Sequence, residues 1–226
     1  MKENTKENIL SFVSSIKGLL FKSYGGAVST ESLSHDKLYA TRKKEKLLEK
    51  KKIASRAISF IESGMTILLD AGTTNYELAK LLIKSNLHDV IVVTNDLKIA
   101  ITLSERKTFQ IVMLGGLLEN ENILTCGRIA IKVLEELEVD ICFVGTQAIN
   151  EKFEIRTPNI DKVDLKKTYL EKAKKKILVV DSSKFYKSKL YKICDLKDFN
   201  HVISDKEISE KEKKYIIKYK LEYIKV

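Results

Sequence analysis

The chain has 226 residues, of which 44% are hydrophobic and 32% are charged, and its formal net charge is +10. This apolar content can build a core and excludes an intrinsically disordered chain. One Pro and nine Gly are too few for a turn-rich β-sandwich, so we expect long helices and buried strands. No apolar run reaches the roughly 18 residues of a membrane span, and the N-terminus lacks a signal-peptide core. We therefore predict a cytoplasmic protein without membrane contact.

The positive charge is concentrated near the N-terminus. Residues 1–56 hold 13 Lys or Arg against 6 Asp or Glu. Such a cluster is typical of nucleic-acid binding, but the lysines between Lys43 and Lys52 also fit the solvated face of a helix. Because charge alone defines no groove contact, we favour the solvated face.

The cysteines and histidines stand apart from one another along the chain. Neither residue type recurs at the spacing of metal ligands. We therefore predict that the cysteines are reduced thiols and that the protein binds no metal and no other cofactor. These residues are Cys126, Cys142, Cys194, His35, His88 and His201.

Helical and strand patterns alternate along most of the chain. An amphipathic helix is predicted between Glu45 and Glu62. Short apolar runs follow at Met65–Asp70, Val90–Thr94, Phe109–Leu114, Asp140–Val144 and Ile177–Val180, with helical patterns at Asn75–Ser85, Lys98–Glu105, Arg128–Glu138 and Asp161–Ala173 between them. This alternation predicts an α/β fold with a mostly parallel sheet and helices on both faces.

The C-terminal part continues the same pattern more weakly. A strand is predicted at His201–Ser204, and a helix follows Ser209, which forms a capping-box pattern with Glu212. The chain ends in a predicted edge strand at Leu221–Val226.

Small polar residues or glycines follow four of the predicted strands. Because parallel strands end at one edge of a sheet, we expect these residues to line a common cleft. They are Asp70, Gly72, Thr73 and Thr74 after the first strand, Thr94 and Asn95 after the second, Gly115 and Gly116 after the third, and Asp181 and Lys184 after the fifth.

The chemistry of these loops suits an anion. Gly72 permits close backbone approach, and Thr73 and Thr74 offer hydroxyl donors at a helix N-terminus, which favours phosphate. Thr74 also forms a capping-box pattern with Glu77. The alternative for each loop is structural: a plain strand-to-helix turn, a helix cap at residues 94–96, and a surface lysine at Lys184.

Six motifs, taken in order, resemble one family. The chain from about Gly18 to Asp205 is similar to the C-terminal sugar-phosphate sensor domain of DeoR-family transcriptional repressors, a domain that senses an effector for a repressor of carbohydrate metabolism. The motifs are Lys52-Ile53-Ala54, Leu69–Thr74, Val93–Asn95, Leu114–Gly116, Asp181–Phe185 and Ile203–Asp205. The resemblance implies a fold like that of ribose-5-phosphate isomerase, glucosamine-6-phosphate deaminase and the coenzyme A transferases.

The resemblance also implies the ligand and the roles of the site residues. The effector is expected to be a phosphorylated sugar or polyol. Residues 72–74 would bind its phosphate, Asp70 and Asn95 its hydroxyls, and Lys184 its negative charge, while residues 115–116 would give the ligand room. A homo-oligomer, dimer or tetramer, is the expected assembly.

Two features bear on the domain organisation and the ligand. Residues 1–30 resemble a remnant of the DNA-binding wing and hinge, and residues 31–226 the effector-sensing domain. Because Met1–Lys17 is shorter than the roughly 50-residue winged helix-turn-helix of the family, we expect specific DNA binding only when that module is supplied. In addition, Lys162 stands where the family has an acidic residue.

Two other functions compete with the sensor. One is a sugar-phosphate isomerase or deaminase with Asp70, Asp96, Asp164 or Lys184 as acid or base. The other is an oligomerisation domain that binds no ligand. No His follows a predicted strand and no carboxylates pair at compact spacing, so we expect a binding domain and not an enzyme.

Overall fold

The computed structural model describes residues 20–23, 26–29, 33 and 37–226. Its first elements are the antiparallel strands β1 (Leu20–Ser23) and β2 (Gly26–Ser29), in which Ser23 is opposite Gly26. Most of the expected wing-and-hinge segment lies outside the described residues. The division between residues 1–30 and 31–226 therefore stays a prediction.

A seven-stranded sheet forms the body of the domain. Its order is β14-β13-β11-β8-β3-β4-β5, and every neighbouring pair is parallel. The strands are β3 (Thr66–Leu69), β4 (Ile91–Thr94), β5 (Gln110–Met113), β8 (Val139–Val144), β11 (Ala173–Val179), β13 (His201–Ser204) and β14 (Glu222–Lys225). The predicted parallel sheet is confirmed.

Helices cover both faces of this sheet, as predicted. They are α1 (Tyr39–Lys44), α2 (Leu47–Ala57), α3 (Thr73–Lys84), α4 (Leu97–Leu103), α5 (Arg128–Glu135), α6 (Asp161–Lys172) and α7 (Glu210–Tyr219). Alternate side chains of β3 point to opposite faces. Ile67 and Leu69 pack with residues of α2, α3 and α4, whereas Leu68 packs with residues of α5 and α6. A run that is apolar on both sides is thus buried between two helical layers.

Short antiparallel strands flank the main sheet and were not predicted. One group is the hairpin of β6 (Leu117–Glu119) and β7 (Leu124–Cys126); the other is a three-stranded sheet of β9 (Ala148–Ile149), β10 (Glu154–Thr157) and β12 (Tyr191–Asp195) in the order β12-β10-β9. Runs of two to five residues carry too little periodicity to be distinguished from loops.

The two predicted capping boxes have different outcomes. Ser209 and Glu212 form theirs at the start of α7. The box predicted for Thr74 and Glu77 is wrong, because α3 begins at Thr73 and no side chain caps it. Glu77 instead forms an ion pair with Lys80 at 2.5 Å.

Three further properties concern only the part of the chain that the structure describes. No helix there has the length and apolar character required to cross a bilayer. The cysteines Cys126, Cys142 and Cys194 are free thiols. No group of three or more His, Cys, Asp or Glu side chains is placed to hold a metal ion.

Candidate functional site: a cationic cavity at the carboxyl edge of the sheet

A cavity of about 830 Å³ lies where β3, β4, β8 and β11 end. Seven of the ten predicted site residues line it: Asp70, Gly72, Thr73, Thr74, Asn95, Asp181 and Lys184. The parallel sheet brings them together because its strands all end at one edge.

The N-terminus of α3 faces this cavity. Thr73, Thr74 and Asn75 occupy its first turn and line the cavity, and Thr73 is buried. The N–H groups of a first helical turn have no acceptor within the helix, and the helix dipole adds positive potential there. This end of the cavity is suited to bind an anion.

A buried ion pair forms part of the cavity lining. The Lys166 ammonium donates to Asp70 Oδ2 at 2.7 Å and to the Gly145 carbonyl at 2.7 Å. The same Asp70 oxygen accepts the Gly145 N–H at 2.9 Å. The pair joins α6 to the ends of β3 and β8, so it fixes the shape of this part of the cavity. Lys166 was not predicted as a site residue, because it lies on a helix and is 96 residues from its partner in sequence.

The loop after β4 supports the loop after β3. The Asn95 side chain accepts the Ala71 N–H at 3.1 Å and donates to the Thr125 carbonyl at 2.9 Å. Asp96 accepts the Gly72 N–H at 3.2 Å and also caps α4 through the N–H groups of Lys98 and Ile99. The backbone donors of residues 71 and 72 are thus already used, which leaves those of the first α3 turn for a ligand.

Three predicted site residues do not line the cavity. Thr94 is fully buried, and its hydroxyl donates to the Leu69 carbonyl at 2.7 Å. Gly116 has a φ of +123°, and a Cβ there would collide with the Cys126 carbonyl. Gly115, beside it, has Ile129 as its neighbour. Thr94 thus connects β4 to β3, and Gly116 lies against the β6–β7 hairpin, outside the cavity lining.

The loop after β11 forms a short helical turn over Ser182–Lys184. Asp181 caps this turn by accepting the Ser183 N–H at 3.0 Å. The Lys184 ammonium lies 3.7 Å from the Asp181 carboxylate, and its side chain is only 14% exposed. Burial lowers the pKa of Lys184, while Asp181 opposes that effect. Lys184 is a partly buried cation of the cavity, not a surface lysine.

The cavity lining carries a large excess of positive charge. Lys and Arg side chains occupy ten lining positions, namely Lys37, Arg42, Lys46, Lys50, Arg156, Lys162, Lys166, Lys184, Lys187 and Lys189, and acids occupy three, namely Glu45, Asp70 and Asp181. Only Lys184 among the ten was predicted. The others come from residues 37–50, β10, α6 and the loop before β12, and no local motif marks them.

Arg156 and Lys162, like Lys166, have structural partners. Arg156 donates to the carbonyls of Lys189 and Leu190 at 2.6 and 2.8 Å, so it fixes the loop before β12. Lys162 lies 3.1 Å from Glu119 of β6. Lys162 therefore connects the β6–β7 hairpin to α6.

Comparison with protein families identifies the domain. Residues 45–206 match the DeoR C terminal sensor domain. The chain belongs to this family of sensor domains from transcriptional regulators.

Individual relatives agree with this assignment. An uncharacterized HTH-type transcriptional regulator of Haemophilus influenzae is 34% identical over 82% of this chain and 72% of its own length. A putative aga operon transcriptional repressor of Escherichia coli O157:H7 is 32% identical over 90% and 76%. A lactose phosphotransferase system repressor of Staphylococcus epidermidis is 28% identical over 88% and 78%.

One solved structure shares the fold at low sequence identity, and a second gives a weaker match. The delta subunit of eIF2B from Chaetomium thermophilum aligns with a TM-score of 0.53 and 16% identity, over 73% of this chain and 58% of that one. Ribose 5-phosphate isomerase A from Methanocaldococcus jannaschii aligns with a TM-score of 0.46 and 18% identity, over 62% and 55%. This chain thus spans little more than half of each of those proteins.

Proposed function

We propose that this domain binds a phosphorylated sugar or polyol as the effector of a cytoplasmic regulator of sugar metabolism. The observation that carries the proposal is the cavity at the carboxyl edge of the sheet, where ten cationic side chains face three acidic ones. A cavity of about 830 Å³ lies within the range of small-molecule sites. Its charge selects an anionic ligand.

The first turn of α3 is the proposed phosphate site. Thr73 and Thr74 contribute backbone N–H groups and hydroxyls, and Lys184 contributes a cation. Asp70, Asn95 and Asp181 shape the adjoining walls, where hydroxyl groups of the sugar would bind. The name of the lactose phosphotransferase system repressor supports a sugar-derived ligand.

The proposed domain performs no catalysis. Acid–base chemistry requires a group free to exchange a proton with the substrate. The Asp70 carboxylate is held by Lys166 and Gly145, Asp96 caps α4, and Asp164 lies 75% exposed beside Lys167. Neither His88 nor His201 lines the cavity.

In the intact regulator, the effector would change how DNA-binding domains are held. Such a switch requires different affinities for two states of the protein. We propose that the domain forms a dimer or tetramer, and an exposed apolar surface supports this. It comprises Leu117 and Leu118 of β6, and Ile129 of α5, which are 75%, 50% and 62% exposed.

A melting experiment with defined ligands tests the proposal. The compounds are ribose 5-phosphate, glucose 6-phosphate, glycerol 3-phosphate and fructose 1,6-bisphosphate, each with its unphosphorylated parent as control. At 100 times its Kd, a ligand stabilises the native state by about 2.7 kcal/mol. We expect at least one phosphorylated compound to raise the Tm, its parent to have no effect, and no compound to be converted.

A substitution locates the site within that experiment. Thr73→Val removes a hydroxyl donor and keeps the shape, so it should weaken binding several-fold. Turnover of a compound would support an enzyme, and an oligomer that responds to none would support a ligand-free oligomerisation domain.

A further inference from the structure

One wall of the cavity is formed by α1 and the start of α2. This wall, residues Lys37–Lys50, contributes Lys37, Thr41, Arg42, Glu45, Lys46 and Lys50 to the cavity lining. It includes the first helix of the described chain and follows the expected hinge in sequence. No strand-exit motif marked it as part of the site.

Lys50 is a buried cation of this wall without a carboxylate partner in the described structure. Its side chain is 1% exposed, and its ammonium donates to the backbone carbonyls of Arg42 and Glu45. An ammonium has three donors, so one remains. A buried ammonium bound only by neutral carbonyls is costly, and a nearby anion would offset that cost.

Arg42 is the second cavity-lining cation of the wall that lacks a carboxylate partner among the described residues. Its guanidinium donates to the Lys37 carbonyl at 3.0 Å and to Asn122 of the β6–β7 hairpin at 2.5 Å. A guanidinium has five donors, so most of them remain for a ligand. Planar, bidentate donation suits phosphate and carboxylate groups.

The wall is attached to the body through polar groups that are incompletely satisfied. The Lys98 ammonium lies 3.6 Å from the centre of the Tyr39 ring, a cation–π contact between α4 and α1. The Tyr39 hydroxyl and the Lys98 ammonium are both buried without a hydrogen-bond partner. Each unsatisfied buried donor costs free energy, so these two groups offset part of the stabilisation that the cation–π contact gives to the docked α1.

We infer that Lys50 and Arg42 bind an anionic group of the effector and that this binding fixes α1 against the cavity. The inference rests on the proposed function and adds its regulation: the element nearest the expected hinge reports whether the cavity is occupied. A ligand that contacts the wall binds the docked state better than the undocked state, which is the requirement for a switch.

Calorimetric titration of the whole chain tests the binding step. The ligands are the four phosphorylated compounds named above, and the variants are Lys50→Met and Arg42→Gln. Their controls are Lys51→Met and Lys44→Gln, which change exposed lysines on the same two helices. We expect affinity to fall about tenfold or more in the first two variants and to remain unchanged in the controls. If Lys50→Met does not fold, the affinity of Arg42→Gln decides the test, because Arg42 is only half-buried.

Hydrogen exchange tests the docking step. Ligand should slow exchange across residues 38–50 of the wild-type chain, with less effect in Lys50→Met, while α7, which does not line the cavity, serves as the internal control. Unchanged affinity in both Lys50→Met and Arg42→Gln would overturn the inference and leave the sensor proposal intact. Unchanged exchange in a wild-type chain that binds would overturn the docking step. A wild-type chain that binds none of the four compounds would overturn both proposals.

Discussion

The two ends of β3 carry the same kind of contact in different surroundings. At the carboxyl end, Asp70 accepts the Gly145 N–H and pairs with Lys166; at the amino end, Asp140 accepts the Thr66 N–H and pairs with Lys174. The first pair is 2% and 11% exposed, and the second is 38% and 71% exposed. Water screens the second pair, whereas the first depends on its own geometry.

This difference shows that the two edges of one sheet have different roles: charged pairs at the amino edge are solvated, whereas those at the carboxyl edge line the cavity. Water satisfies charges at the amino edge, so substitutions there have small effects. At the carboxyl edge Lys50, Lys166 and Lys184 are largely buried around a cavity that an anionic ligand can enter.

Removing the charge of the buried pair should have the largest effect. In Asp70→Asn the Lys166 ammonium stays buried without its carboxylate, and we expect the free energy of unfolding to fall by about 3 kcal/mol. Urea unfolding in phosphate-free buffer measures the loss. Asp140→Asn is the matched control, and equal losses in the two variants would refute the contrast.

Removing a cation from the cavity should weaken binding without unfolding the protein. Lys184→Ala should reduce affinity for a phosphorylated compound about tenfold, because a charge-assisted hydrogen bond is lost. Lys174→Ala removes a lysine from the opposite edge and should leave affinity unchanged. Titration calorimetry compares the two, and a variant at position 184 that fails to fold would contradict the placement of this lysine.

Binding should weaken as the pH rises above neutrality. Burial lowers the pKa of Lys50 to about 8; Asp181 and Glu45 raise it, while Lys184 and Arg42 lower it further. Between pH 7 and 9 this ammonium loses its charge, whereas the phosphate has already lost its second proton. We expect the wild-type Kd to increase over this range more steeply than that of Lys50→Met, and parallel profiles would exclude a role for this lysine.

The stability of the ligand-free protein should change in the opposite direction. The pKa of Lys50 in the folded state lies below its ordinary value of 10.5, so the unfolded chain binds more protons between about pH 8 and 10.5. The cost of burying this charge therefore disappears as the pH rises through that window. Urea unfolding of wild type and Lys50→Met across the same range isolates the contribution.

The exposed pair should have the smallest effect, and acid should abolish it. The Lys174 ammonium and the Thr66 N–H lower the pKa of Asp140, so this group stabilises the fold above its unfolded pKa and loses that contribution as the pH falls through its folded pKa. Wild type and Asp140→Asn should differ slightly at pH 7 and converge at pH 2. High salt should also remove the difference, and a difference that persists in 1 M salt would show that the pair is not screened.

The sequence predicts the sheet better than it predicts the cavity. Apolar runs such as Met65–Asp70 determine strand positions because both faces of a central strand are buried. The strand ends then place Asp70, Thr73 and Lys184 at one edge without further information. Thr94 and Gly116 also lie at strand ends, but they do not line the cavity. Contacts across the sheet decide whether such a residue lines the cavity or contacts the backbone of a neighbouring strand.

The missed residues have a common physical reason. Lys50, Arg156 and Lys166 lie on helices and short strands that approach the cavity only through tertiary packing. Their local sequence is that of ordinary solvated lysines and arginines in a chain rich in both. The excess of positive charge is therefore visible only after the elements are assembled.

The order of the strands has a consequence for synthesis of the chain. β3 sits between β4 and β8, although about 70 residues separate β3 from β8 in sequence. A nascent polypeptide that ends before Val139 would present one side of its central strand to other molecules. Ribosome stalling or premature termination in this interval would thus yield fragments prone to aggregate, whereas chains completed through β11 have that side covered.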